Sequence, residues 1–381
     1  MNAEPAPATP RTYSGARDED DKALLRAAVE LTRDLGEARA AIYWPDMIGS
    51  AAVGYAALAG AILSPALWLT ILLGIIAVLS LYRALLFIHE LTHLHRDALP
   101  GFRTAWNVIV GIPMLMPSFM YEDGHTIHHS RKRYGTPDDP EYLPLALMKP
   151  WSLPLFVLIA LLAPVGLVVR YGLLAPLGLL IPAVRRMNWE RFSTLAINPD
   201  FRRRAPAPED KRRFVLLETG AAVWGMVILA SVFWIGWQPL LVALAVFSAV
   251  AVLNQLRTLV AHLWENEGEP MSVTAQYLDT VNVPPPGHLA ALWAPVGLRY
   301  HALHHLLPSL PYHSLGEAHR RLTAHELARE TYGRAHYRGM SPLVGKIASS
   351  TMRRPRQPDA ECGHEKGAAS MEAAPSNASR G

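Results

Sequence analysis

Nine histidines in this sequence stand at spacings suited to holding metal ions. His89 and His93 are four apart in His89-Glu90-Leu91-Thr92-His93-Leu94-His95, so one face of a helix carries both imidazoles. His95 points elsewhere if that helix continues and inward if it ends. His125-Thr126-Ile127-His128-His129 and His301-Ala302-Leu303-His304-His305 both read HxxHH, whose positions i, i+3 and i+4 share a helical face and offer three converging nitrogen donors. One such cluster arises by chance on a surface helix; its repetition beside apolar segments carries the weight. His262 stands apart, closing the run Arg257-Thr258-Leu259-Val260-Ala261-His262. Two metals with four or five ligands each would use His89, His93, His125, His128, His129, His262, His301, His304 and His305.

Neutral imidazoles suit iron, zinc or copper, and oxidation of an unreactive C–H bond needs a redox metal that binds dioxygen, so two non-haem irons with O2 as co-substrate are the preferred assignment. Each ligating ring needs an outer acceptor for its second N–H. Glu90, Asp123, Asp138, Asp139, Glu141 and Glu265 are the candidates close in sequence. The single cysteine, Cys362, lies in a polar tail, so this chain supplies no disulfide framework and no iron–sulfur cluster.

Long uncharged runs must position these residues. From Met47 to Tyr82 no charge appears across 36 positions, enough for two crossings that bend at Ser64-Pro65. Trp151 to Val184 is interrupted by Arg170 and prolines and reads as a short hairpin or a re-entrant pair. Phe214 to Leu256 contains Glu218 as its one charge and breaks at Gly236-Trp237-Gln238-Pro239. The connection from Arg185 to Arg213 holds nine Lys or Arg residues and the turns near Ser64 and Gly236 hold none, so the basic connections should be cytoplasmic. Hairpins return the chain to the face it left, which allows all the histidine clusters to share that face. Residues 104–121 imitate a crossing, yet 29 residues separate His95 from His125 and an outward and return passage needs roughly 40. This segment is therefore expected to lie in the interface or to dip and return. Tyr82, Trp151 and Trp237 are expected as headgroup anchors.

The expected fold is an all-α integral membrane protein, with transmembrane helical hairpins under a cytoplasmic histidine-rich cap. Three regions are expected: a polar leader over 1–40, a membrane domain over 41–340 and a disordered tail over 341–381. The leader lacks the apolar core of a cleaved signal peptide. Its Leu24, Leu25, Ala28, Leu31 and Leu35 fall at helical spacing, and a solvated helix is the expectation there. The net charge of +4 does not form one stripe, so anionic lipid headgroups are expected as partners and nucleic acid is not.

HELTH, YEDGHTIHHSRKRYGTPDDPEY and GLRYHALHHLLPSLPYH together resemble the membrane fatty acid desaturase family, which also includes hydroxylases and ketolases. The resemblance covers roughly residues 45–325. It implies four or more transmembrane helices under a cytoplasmic cap that holds two irons, with His89, His93, His125, His128, His129, His301, His304 and His305 as ligands. His262 matches the family's isolated histidine. Thr258 stands where some acyl-CoA desaturases have Asn, and Asn254 lies eight residues before His262. Pro311-Tyr312-His313 also recurs in similar members, which gives His313 an outer or packing role. The activity implied is O2-dependent desaturation or hydroxylation of the acyl chain of a fatty acid or lipid. No dinucleotide fingerprint is present, so electrons come from a ferredoxin, a rubredoxin or a cytochrome b5-type donor. Arg131, Lys132, Arg133 and the arginines at 202–204 form a basic rim able to dock an acidic carrier or to face lipid.

Two other readings compete. His89-Glu90-Leu91-Thr92-His93 satisfies HExxH, which makes an intramembrane zinc protease with Glu90 as general base conceivable. That reading leaves two HxxHH clusters without a role. A non-catalytic metal-binding or transport protein would place polar groups within its crossing helices, which here are nearly free of them.

Overall fold

The computed structural model describes residues 18–353, apart from 146, 147 and 288. Regular structure among them is helical, with isolated bridges such as His262 to Thr280 and no named strand. The all-α class expected from the sequence is what forms. Five helices are long and apolar enough to cross a membrane.

After α1 (Asp18–Thr32), helices α2 (Ala40–Leu63) and α3 (Leu67–His93) make the first hairpin. Lipid offers little hydrophobic drive between helices, so close packing of small residues must hold such a pair. Gly54 shows this: a Cβ there would lie 2.6 Å from Leu81 Cγ. At the histidine end, Arg83 pairs with Asp46 at 2.6 Å, and the Tyr312 hydroxyl donates to the same carboxylate at 2.7 Å. Outward faces stay apolar, with Leu67, Trp68, Leu72 and Ile75 exposed, as lipid contact requires.

Helix α4 (Phe102–Trp106) runs into a widened turn over Asn107–Gly111. The Asn107 side chain accepts from the Ser118 backbone N–H at 2.8 Å, and Leu115 takes φ 57°. The chain thus doubles back, and α5 (Phe119–His128) returns beside the end of α3. Residues 104–121 therefore double back and do not form one of the long apolar helices.

The next apolar run, expected as a short hairpin or a re-entrant pair, instead forms one interrupted helix, α6 (Ser152–Leu180), because its prolines near the starts of turns bend it without reversing it; the chain reverses at Ile181 into α7 (Pro182–Phe192). Phe156 near its start packs on Trp264, and Leu195 after its end donates to the Met120 carbonyl at 2.8 Å. The excursion therefore leaves the histidine layer and rejoins it. Helices α8 (Pro208–Ile235) and α9 (Gln238–Ala261) make the last hairpin. The charges interrupting the two runs find each other: Arg170 Nη2 donates to Glu218 at 2.9 Å, which removes the cost of a lone ion between apolar helices.

The remaining helices cover the histidine end: α10 (Val273–Asp279), α11 (His301–Leu306), α12 (Leu315–Ala324), α13 (Glu326–Gly333) and α14 (Met340–Arg353). Three expectations need correction here. Leader helix α1 is docked, with Leu24 and Ala28 buried among Leu303, Leu322 and Tyr332. Described residues of the expected disordered tail form α14, whose Leu343 and Ile347 are buried because their spacing gives the helix an apolar face; residues 354–381, with Cys362 and His364, lie outside the described residues. Tyr82 is fully buried and donates to the Trp293 carbonyl at 3.0 Å, so it is no headgroup anchor, whereas Trp151 and Trp237 are exposed.

Candidate metal centre

All nine histidines converge into two groups. His89, His93, His125, His129 and His304 form one, and His128, His262, His301 and His305 form the other; within each group one ring nitrogen per residue lies within 4.8 Å of all the rest. The HxxHH clusters do not deliver three donors to one point. Each sends its i and i+4 rings to one group and its i+3 ring to the other: His125 and His129 meet His304, while His301 and His305 meet His128. The reason is geometric. At 3.6 residues per turn, i+3 and i+4 flank the line through i on opposite sides, so two facing helices can share a pair of metals. At the seam, His129 and His305 stack with ring centroids 4.2 Å apart.

Nitrogens face each other closely. Nε2 to Nε2 distances are 3.1 Å for His125 and His129, 3.2 Å for His93 and His304, 3.1 Å for His262 and His301, and 3.2 Å for His301 and His305. On the outer side, His125 Nδ1 meets Glu141 at 3.1 Å and His128 Nδ1 meets Asp139 at 2.9 Å. The Tyr134 hydroxyl donates to Asp279 at 2.8 Å and sits 2.9 Å from His262 Nδ1, from which it can accept. With the proton held at Nδ1 in these rings, their Nε2 lone pairs point inward. Buried lone pairs aimed at one another call for a cation, and His89, buried with both ring nitrogens unpartnered, calls for the same. The donor set fits two imidazole-bound transition metals.

Electrostatics agree. Burial, reinforced by neighbouring rings, pushes His125, His129, His262, His301, His304 and His305 well below the ordinary imidazole range, so they are neutral donors. Burial pulls His128 down too, but Asp139, with Glu141 and Asp279 behind it, outweighs burial and raises it. Burial also lifts Glu141 and Asp279 to about 7.

With that geometry in place, comparison with known proteins is decisive. The family profile described as "Fatty acid desaturase" matches residues 35–338. A "Ceramide hydroxylase" from Caulobacter vibrioides (strain NA1000 / CB15N) is 45% identical over 353 residues, covering 91% of this chain and 98% of that protein. The chain belongs to the fatty acid desaturase family. It is an oxidoreductase acting on lipids in a membrane setting, and its two histidine groups suit the di-iron desaturase and hydroxylase chemistry of that family.

Other family features fall into place around the centre. Of the six carboxylates near the clusters in sequence, Asp139 and Glu141 meet histidines of the two groups at hydrogen-bonding distance. Glu90 lies 3.8 Å from His89, accepts from the Tyr43 hydroxyl and takes the Tyr312 backbone N–H at 3.1 Å. That carboxylate is spoken for, which argues against its use as a protease base. Asp123 pairs with Arg203 at 2.5 Å, Asp138 is exposed, and Glu265 presents its backbone to Asp279. Arg203 is buried, donating to the Phe119 carbonyl at 2.9 Å, so it leaves the expected basic rim to Arg131, Lys132, Arg133, Arg202 and Arg204. His95 is exposed and outside both groups. His313 also lies outside them, accepting from the Arg39 backbone N–H at 3.2 Å. Sequence reading missed Asp279 and Tyr134. Aspartate 17 residues beyond His262 and tyrosine five beyond His129 carry no local signal; only the fold brings them together.

Proposed function

We propose that the chain is a membrane-bound, O2-dependent di-iron hydroxylase acting on ceramide or a closely similar N-acyl lipid. The convergence of nine imidazoles into adjacent groups of five and four carries this reading. The extent of the match to a ceramide hydroxylase favours hydroxylation over desaturation and an N-acyl lipid over a free fatty acid.

A pair of irons bound there supplies the dioxygen activation that C–H oxidation requires. The protein's part is to hold and insulate them. His89, His93, His125, His129 and His304 would hold one, and His128, His262, His301 and His305 would hold the other. Glu141, Asp139 and the Tyr134–Asp279 pair keep the Nδ1 protons outward, so each Nε2 is presented as a neutral donor. Burial of these rings excludes bulk water from the reacting region, which protects an oxidant from side reactions.

The nine basic residues from Arg185 to Arg213 support a cytoplasmic position for the histidine layer. Electrons arrive from a separate ferredoxin, rubredoxin or cytochrome b5-type carrier. Exposed Arg131, Lys132, Arg133, Arg202 and Arg204 offer it a basic docking face.

The test is to purify the full chain in a lipid mimic, measure iron, and supply ceramide, O2 and a reducing carrier. We expect about two irons per chain, as the two ligand groups require, with hydroxylated ceramide as product. Zinc without iron, or lipid left unoxidised by iron-replete protein, would sink the proposal.

A further inference from the structure

Helix α11 carries three of the nine rings and feeds both groups: His301 and His305 belong to one, His304 to the other. It is six residues long, too short for a helix to persist without outside support. Its own N-terminus gives none, because Tyr300 stands at the N-cap and makes no side-chain capping bond. The first-turn N–H groups are met from elsewhere. Ala302 N–H donates to the Val281 carbonyl at 3.1 Å, and Leu303 N–H donates to Asn282 Oδ1 at 3.0 Å, 21 positions away in sequence. Asn282 thus supplies, from outside the helix, the acceptor that an Asn, Asp, Ser or Thr at the N-cap ordinarily supplies from within.

Asn282 is fixed in place for this task. It is fully buried, and its backbone is bonded on both edges: the N–H donates to the Ala335 carbonyl and the carbonyl accepts from the Tyr337 N–H, each at 2.8 Å. Its Nδ2 faces the Tyr277 hydroxyl without closing a hydrogen bond, which leaves the bond to Leu303 as the one the side chain makes among the described residues. The same stretch of chain grips the isolated histidine. Thr280 bridges His262, and the Leu263 N–H donates to the Asp279 carbonyl at 2.7 Å. One short segment, 279–283, therefore touches His262 at one end and the ligand helix at the other, and His262 Nε2 and His301 Nε2 end 3.1 Å apart. A buried N–H stripped of its acceptor is costly, and a helix this short answers by fraying from that end, where His301 stands.

We infer that Asn282 is a positioning residue for the metal centre: by capping α11 from outside, it fixes His301 and His305 against His262 and so sets the ligand geometry of the group of four. It touches no reacting atom and acts through the rings it places. The group of five draws a single ring, His304, from α11 and keeps four others, so it should feel the loss of the cap less. The inference rests on the two-metal reading above and adds to it a residue outside both ligand groups.

The experiment titrates the iron-free full-length protein, in a lipid mimic, with cobalt(II), whose visible bands respond to coordination geometry. His262→Ala marks which binding step belongs to the group of four. Asn282→Leu fills the space but offers no acceptor; it should weaken that same step roughly 10- to 100-fold, the usual cost of removing an outer partner of a metal ligand, and shift its spectrum, while the other step changes less. Asn282→Asp keeps the acceptor and should return the step and its spectrum toward wild type. Hydrogen exchange of the metal-free protein should quicken over 301–306 in N282L and not in the long apolar helices. Unchanged cobalt binding in N282L overturns the inference, and so does equal weakening of both steps, which marks a general loosening of the fold. If N282L does not fold, N282D decides: a folded N282D that loses the marked step overturns the acceptor role, and one that keeps it supports the role. Wild type that binds no cobalt would end the metal-centre reading, whereas faster exchange confined to 301–306 in N282L would still leave the cap standing.

Discussion

The two histidine groups differ in how tightly the protein holds them. The group of five draws on α3, α5 and α11, with His93 and His129 partly exposed and one outer carboxylate, Glu141, at hydrogen-bonding distance from a ring. The group of four draws on α5, the residue after α9, and α11, and is tied back at two points: Asp139 is fully buried against His128, and Tyr134 with Asp279 backs His262. One group has a ligand to spare and one ring tied from outside; the other has none to spare and two of its four rings tied, with His301 Nδ1 unpartnered and His305 partly exposed. Ligand number and ligand positioning substitute for each other, because a metal site needs enough donors at the right place, and either more rings or stiffer rings will meet that need.

The largest test of this contrast removes one ring from each side. His301→Ala leaves three imidazoles and should lower activity at least about 100-fold while iron falls from about two to about one per chain. His93→Ala leaves four and should keep most of its iron, with a loss nearer tenfold. Equal losses would erase the distinction. Next in size, Asp139→Asn should weaken iron binding by roughly 10- to 100-fold because His128 loses the acceptor that orients it, and Glu141→Gln should cost less. Metal titration of the two variants side by side decides this. Smaller still, Tyr134→Phe and Asp279→Asn should each reduce iron affinity by about tenfold, and their double variant should be no worse than either single one if they act as one relay.

The smallest effect concerns pH and the iron-free protein. Six rings outside the long apolar helices have folded values depressed by burial. The unfolded chain therefore binds more protons below the ordinary value of about 6.5, so stability rises with pH through that window and is lost as pH falls below it. His128, raised by Asp139, opposes the trend within its own group. Melting the iron-free protein at about pH 7.5 and about pH 5.5 should show the lower midpoint in acid, and iron should narrow the gap by holding the rings deprotonated. An iron-free midpoint that does not move with pH would contradict the burial of these rings.

Much of this molecule was legible beforehand because its strongest signals are local. Two hairpins, one uncharged from Met47 to Tyr82 and one carrying only Glu218 from Phe214 to Leu256, announce themselves by composition, since lipid tolerates few alternatives. Eight histidines at helical spacings, with His262 apart from them, announce a candidate metal centre. Pairings set by distance in space were not legible: Arg170 with Glu218, Arg203 with Asp123, and Tyr134 with Asp279 join residues from 48 to 145 positions apart.

By itself, then, the sequence determined the helical class, the apolar hairpins and the candidate ring donors of the three histidine clusters, because spacing along one helix and length of a nearly uncharged run are properties of neighbouring residues. Only the tertiary structure decided that each HxxHH divides its rings between two groups and that the leader helix docks on the histidine layer. Those outcomes depend on how helices far apart in the chain face one another, and local spacing holds no information about that.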